Sequence, residues 1–233
     1  MSTQNETSPP ASTFDPELAW ALHGHKIIVG LVALVVVALG IGGYLLWQNI
    51  RNSRANNSYL KATDIGAWQR VVKKYPGTVA AGNAWLRTGA AQARAGDFKA
   101  SDTSLQTFIH DFPNHPFLPS AHMALAENAE SENRPDNALK GYEEIATRFG
   151  TSSVAPLALF NQGRLTEAAS KLEAARAIYE NVVQRYPESY FAVGLAREAA
   201  TRLNNKLGTT PAAVSNGTTP TGASPSPTQT LQN

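Results

Sequence analysis

The stretch YENVVQRYP, Tyr179 to Pro187, decides how this chain is read. The same phrase stands as YEEIATRFG from Tyr142 to Gly150, LQTFIHDFP from Leu105 to Pro113 and WQRVVKKYP from Trp68 to Pro76. Each begins 37 residues before the next. Within it Tyr179, Val182, Val183 and Tyr186 fall at i, i+3, i+4 and i+7, one apolar stripe along a helix. Pro187 stops that helix, as Pro76, Pro113 and Gly150 stop the others. Self-similarity at a fixed period of roughly 20–50 residues marks a stack of helical or other repeats.

A second helix precedes each phrase. Gly89, Ala126, Gly163 and Ala200 share the 37-residue spacing and are all small, and Ser101, Ala138 and Ala175 form another small series. Small residues at fixed places let two backbones approach closely. Small, small, aromatic, breaker describes a packed antiparallel helix pair.

This order resembles the tetratricopeptide repeat, whose small, small, aromatic and Pro residues fall at repeat positions 8, 20, 24 and 32. With Gly89 at position 8, Ser101, Leu105 and Pro113 take the other three; Ala126, Ala138, Tyr142 and Gly150 follow, then Gly163, Ala175, Tyr179 and Pro187. The resemblance covers roughly Trp68 to Leu207 and implies an all-α, tetratricopeptide-like helical solenoid. The chain departs from the family in its period, 37 rather than 34. Position 4 is aromatic only at Trp85, with His122 and Leu159 after it, and Phe108, Ile145 and Val182 stand at position 27 where the family has Ala. Looser units of this kind are similar to repeats of bacterial cell-envelope proteins.

Composition divides the 233 residues further. Residues 1–24 are polar and rich in Ser, Thr and Pro; 208–233 are uncharged and rich in Pro, Thr, Ser and Gly. Both read as disordered, because they hold too little apolar surface to offset chain entropy. Residues 25–50 contain IIVGLVALVVVALGIGGYLLWQNI, without a charge from Ile27 to Ile50. As a helix this run is about 36 Å long, enough to cross roughly 30 Å of hydrocarbon. Tyr44, Trp47 and Trp20 flank it as interfacial aromatics do. A cleaved signal peptide fits less well, because a mostly acidic segment comes first and the run is too long. The repeat domain is then 51–207: a half-repeat, three repeats and a capping helix.

The register also runs backward. Trp68 takes position 24 of a half-repeat whose first helix would begin near Tyr44, so the membrane helix is expected to continue as the first layer; a hinge at Arg51 to Ser58 is the competing expectation. Ser189 to Leu207 lacks a partner helix and reads as the terminal cap. Lys26 precedes the span while Arg51, Arg54 and Lys61 follow it, a count that would place the C-terminal side in the cytoplasm, although long domains translocate largely regardless.

Few residues suggest chemistry. A net charge of +2 shows no excess for nucleic acid, and the absence of Cys excludes disulfides, thiolate metal sites and a cysteine nucleophile. His110, Asp111 and His115 crowd together, but Pro113 breaks the helix between the histidines, so they read as solvated junction residues and no metal or cofactor is expected. Glu127 with Glu130, and Glu143 with Glu144, read as exposed helix positions. The reading is of a non-enzyme.

What remains is a surface. In the tetratricopeptide family the first helices line a groove, and positions 2, 5, 9 and 12 face it. The resemblance assigns Asn83, Leu86, Ala90 and Ala93, then Ser120, Met123, Glu127 and Glu130, then Leu157, Phe160, Arg164 and Glu167 as protein-binding residues. Leu86, Met123 and Phe160 would form an apolar stripe. The family's Lys/Asn clamp for a carboxylate terminus is not reproduced. One N-terminal membrane helix followed at once by repeats resembles the ancillary subunit of the bacterial Sec translocon. That likeness implies an inner-membrane protein, N-in and C-out, with a periplasmic domain whose partners are the Sec translocon, periplasmic chaperones or exported clients. The alternative expectation is a scaffold of envelope biogenesis or cell division that holds one or two folded partners.

Overall fold

The structure, a computed structural model, describes residues 16–208. Every described regular element is helical. The expected disorder of residues 1–15 and 209–233 lies outside the described residues, whereas residues 16–24 are helical, not irregular. The chain divides into two compact units, one ending at His115 and one starting at Pro116.

The first unit holds α1 (Pro16–Leu60), α2 (Ile65–Lys74), α3 (Val79–Arg94) and α4 (Phe98–Asp111). From Ile28 to Ile50 none of the other described elements packs against α1, and its large apolar side chains point outward. Gly24–Leu60 is therefore long and apolar enough to cross a membrane, and it is not a core helix. The helix does not break at Arg51 to Ser58. Its last turns pack on α2 and α3, where Ala55 is 0% exposed among Val71, Tyr75, Ala80 and Ala84. Asn56 and Asn57 are poor helix formers, but both face water on the opposite side, and the buried stripe through Ala55 outweighs their small propensity cost.

The second unit holds α5 (Leu118–Ser131), α6 (Pro135–Arg148), α7 (Ala155–Ala168), α8 (Leu172–Arg185) and α9 (Tyr190–Leu207). Each helix packs on the next, and α9 packs also on α7. Tyr142, Ile145, Tyr179, Val182 and Leu203 are the largest fully buried side chains here. Buried alanines of α5, α7 and α9 lie among them.

Each pair closes through the same local chemistry. Tyr75, Phe112, Phe149 and Tyr186 cap the second helices with φ between −117° and −130°, and each donates its backbone N–H to the carbonyl four residues earlier. Between the two helices of a pair stands one left-handed residue, Gly96, Asn133 or Ser170, at φ 77°, 57° and 62°. The N–H of the following residue, Asp97, Arg134 or Lys171, reaches back to the carbonyl of Gln92, Ala129 or Thr166. This is the left-handed helix ending that satisfies otherwise orphaned carbonyls. Only Gly meets its φ without cost, and Asn tolerates it better than Ser.

Close approach within each pair is set at position 8. A Cβ added to Gly163 would lie 2.7 Å from Tyr179 Cε1, and one added to Gly89 would lie 3.0 Å from Leu105 Cγ. In the middle pair position 8 is Ala126, and the space comes from Gly141 opposite, whose added Cβ would lie 2.8 Å from Ala126 Cβ. Gly163→Ala should therefore cost about 1–3 kcal/mol despite the helix propensity gained. Gly194→Ala on α9, where nothing lies within 4 Å, should stabilise by up to about 1 kcal/mol. Urea unfolding of the full chain in detergent micelles distinguishes the two.

Candidate protein-binding surface

Asn83, Leu86, Ala90 and Ala93 lie half-buried on α3 in the first unit. In the second unit Ser120 on α5 and Leu157 and Phe160 on α7 are half-buried, and Phe160 stands 5.5 Å from the Tyr179 ring. Met123 differs: it is 5% exposed in the core with Ala126, Tyr142 and Ala158. It faces the pair's interior, so the expected apolar stripe loses its middle member. Its helical phase lies at the margin between surface and seam, which spacing alone does not resolve.

Three charged members of the expected groove, Glu130, Arg164 and Glu167, are already held in ion pairs. Tyr142 donates to Glu130 Oε2 at 3.0 Å, and Arg164 of the next pair donates to both Glu130 oxygens at 2.6 Å. One period later Tyr179 donates to Glu167 at 2.9 Å, and Arg202 of α9 donates to both Glu167 oxygens at 2.9 and 3.1 Å. Each tie fastens the two helices of a pair and then the following pair. In α3 and α4 its place is taken by Ser104, which donates to Gln92 Oε1 at 2.7 Å, because Ala93 and Leu105 stand where Glu and Tyr stand later. Burial first, then the carboxylate beside each, pushes the phenols of Tyr142 and Tyr179 up, so both stay protonated donors. Sparse water and then the Glu130 charge raise the Glu127 carboxyl, although its side chain reaches solvent. Glu130 is thus not a free carboxylate for acid–base work, nor fully exposed as its sequence position suggests. Tyr142, Tyr179 and Arg202 are the partners that sequence reasoning missed; the recurrence of Glu at position 12 with Tyr at 24 was the available signal.

The histidines part company. His110 is exposed beside Asp111, whereas His115 is 8% exposed, edge-on to Phe108 at 5.1 Å and against Gly82. It is a core residue of the first unit rather than a solvated junction. The aromatic pair Phe108 and Phe112 supplies the socket, and the turn in which the His115 N–H donates to the Phe112 carbonyl folds the ring onto it. Burial lowers its pKa more than a backbone hydrogen bond at Val79 raises it. His122 shifts the same way, through burial first, against the pull of Glu144. Among the described residues no three His, Asp or Glu side chains converge on a common point. At the start of α9, Tyr190 and Phe191 are strongly exposed, an aromatic pair the groove positions did not include.

With this geometry in place the chain belongs to the family of the tetratricopeptide repeat-like domain, whose model matches residues 19–190. That match takes in most of α1 together with the repeats. Such domains are typically non-catalytic and bind proteins. No curated protein sequence matches the chain. Two crystal structures of MamA are similar to it: one at 19% identity and TM-score 0.43, covering 61% of this chain and 83% of that one, the other at 17% and 0.42, covering 76% and 97%. A kinesin light chain from Podosopora anserina with nearly identical TPR-like repeats is similar at 13% and 0.41, covering 69% and 95%. None of these likenesses bears on partners.

Tyr142→Phe and Tyr179→Phe should each lose about 1–2 kcal/mol, because a donor to a charged acceptor is removed. In a Glu130→Ala background Tyr142→Phe should cost almost nothing more, and a double-mutant cycle reads that coupling. His115 and His122 give stability a sign with pH. Their folded pKa lies below the unfolded 6.5, so their contribution is complete above 6.5 and lost as pH falls through the folded value. Thermal unfolding followed from pH 7.5 downward should show that loss, with a shallower slope in His115→Gln.

Proposed function

We propose that this is a single-pass membrane protein whose repeat domain binds other proteins at a bacterial inner membrane, in export or chaperoning. The observation that carries the reading is the unbroken α1. Its apolar stretch is uncovered among the described residues, while its last turns are the buried first layer of the repeats. A first unit built onto its own anchor is held close to the lipid, where effective concentration replaces intrinsic affinity. The resemblance to the Sec translocon's ancillary subunit gives the orientation, N-in and C-out, and the partners: the translocon, periplasmic chaperones or exported clients. The contacting residues are Asn83, Leu86, Ala90, Ser120, Leu157 and Phe160, with Tyr190 and Phe191 added. In the second unit Glu127, Glu130, Arg164 and Glu167 belong to the same expected set, the last three keeping their ties.

Photo-crosslinkers placed at Leu86, Phe160 and Tyr190 of the full chain in native membranes test this. Many different exported clients, with protease reaching the repeat domain from the periplasm, are the expected result. One or two stoichiometric folded proteins would instead favour an assembly scaffold. A domain reached only from the cytoplasm would overturn the export reading.

A further inference from the structure

We propose that the cationic layer formed by the end of α1 and by α2 binds the phosphate of an anionic phospholipid headgroup. The inference rests on α1 crossing a membrane, as proposed above. Between Arg51 and Lys74 stand Arg51, Arg54, Lys61, Arg70, Lys73 and Lys74, against Asp64 alone. The Asp64 carboxylate is already engaged, accepting the Ala67 N–H at 2.8 Å as the cap of α2. Among the described residues none of Arg54, Lys61, Arg70, Lys73 and Lys74 makes an ion pair.

The fold returns part of this layer to the end of the apolar run: Lys73 and Lys74 come back toward Arg51, while Lys61 stands about 15 Å further along α1. Trp68 Nε1 donates to the Ala62 carbonyl just past the end of α1, and Arg51 donates to the Pro76 carbonyl just past α2. Hence α2 runs back down α1 until its last turn, with Lys73 and Lys74, stands level with Arg51. Arg51 is the first residue after the uncharged run and also lies over the Trp47 ring. In between, Lys61, Arg70 and Lys74 line an open notch of about 360 Å³ with Ser58 and Tyr75, and no carboxylate lines it. The Ser58 hydroxyl donates to Tyr75 Oη at 3.5 Å. That bond first, and the Lys74 and Arg54 charges after it, lower the Tyr75 pKa against the effect of burial, as expected where the potential is positive. Cations in a last turn also suit the helix dipole, which accounts for Lys73 and Lys74 but not for Arg54, Lys61 or Arg70. An acidic protein would feel the same charge, but it would not explain why part of the layer is folded down to the height at which the apolar run ends. Juxtamembrane clusters of roughly four to eight Lys and Arg recognise acidic headgroups in this way.

The test uses the full chain in phosphatidylcholine bilayers doped with spin-labelled phosphatidylglycerol or spin-labelled phosphatidylcholine, and compares the motionally restricted fractions. The wild type should prefer phosphatidylglycerol by about fivefold or more, and less so in high salt. K61Q/R70Q/K73Q/K74Q should fall to near parity while keeping its helical circular dichroism, and K61R/R70K/K73R/K74R should keep the preference. Equal preference in the wild type and the glutamine variant would overturn the proposal. So would loss of the preference to millimolar inorganic phosphate or to a polyglutamate peptide, which would reassign the notch to a free anion or to an acidic protein. Flotation with pure phosphatidylcholine vesicles separates the two readings. A chain that floats but shows no headgroup preference overturns this inference alone, and one that does not float overturns the membrane reading with it.

Discussion

Once in every repeat a glycine lets the neighbouring helix press directly onto a helix backbone, and the rest of this structure depends on where that happens. At Gly163 the approach is so close that the Tyr179 ring occupies the space of a Cβ. The ring therefore lies deep, fully buried, and its hydroxyl emerges at Glu167, which in turn holds Arg202. One missing methyl thus sets the position of an ion pair at the next helix. In the middle pair the space moves to the other helix, Gly141 opposite Ala126, and the Tyr142–Glu130–Arg164 tie is kept. At Gly89 the partner is Leu105, whose side chain has no polar end, and the tie disappears with it. Van der Waals space comes first in this fold, and the polar links are placed by it.

That hierarchy also explains what could be read in advance. Position 8, position 24 and the breaker were legible because each demands a residue type: small, bulky, or unable to continue a helix. The left-handed turn was not, because Gly96, Asn133 and Ser170 meet a single φ with three different side chains. The family match supports the stacked helix pairs that the spacing implies. The candidate surface was less legible. Whether Met123 faces solvent or the seam is a matter of a few tens of degrees of helix rotation, set by neighbours far away in sequence. Glu130, Arg164 and Glu167 look free in a linear pattern because their partners lie 12 to 35 residues away. His115 looked solvated for the opposite reason: the phenylalanines that enclose it are near in sequence, but only the turn after Phe112 folds the ring onto them.

The second dependence concerns α1. A hinge after the apolar stretch would have let the domain sample many heights and tilts above a membrane. With Ala55 buried beneath Val71 and Tyr75, the segment 51–60 serves as a structural layer, and freeing it would expose that core. Anchoring and folding become one equilibrium in the membrane reading: whatever stabilises the span also stabilises the first layer.

This coupling bears on the charges after the span. Lys and Arg beyond a membrane helix are ordinarily counted as signals for the cytoplasmic side, and the count here opposes the orientation that the translocon likeness implies. Counting treats each cation as an independent vote cast by an unfolded chain. Here Lys61, one of the counted cations, shares a notch with Arg70 and Lys74 of the following helix, and Arg51 is bonded to the Pro76 carbonyl, so their positions answer to the folded surface. If headgroup phosphates are what they serve, the same residues would be required on whichever face the domain occupies. Anionic lipid can be present on either side, and the excess of cations then describes what the domain touches rather than which way it points.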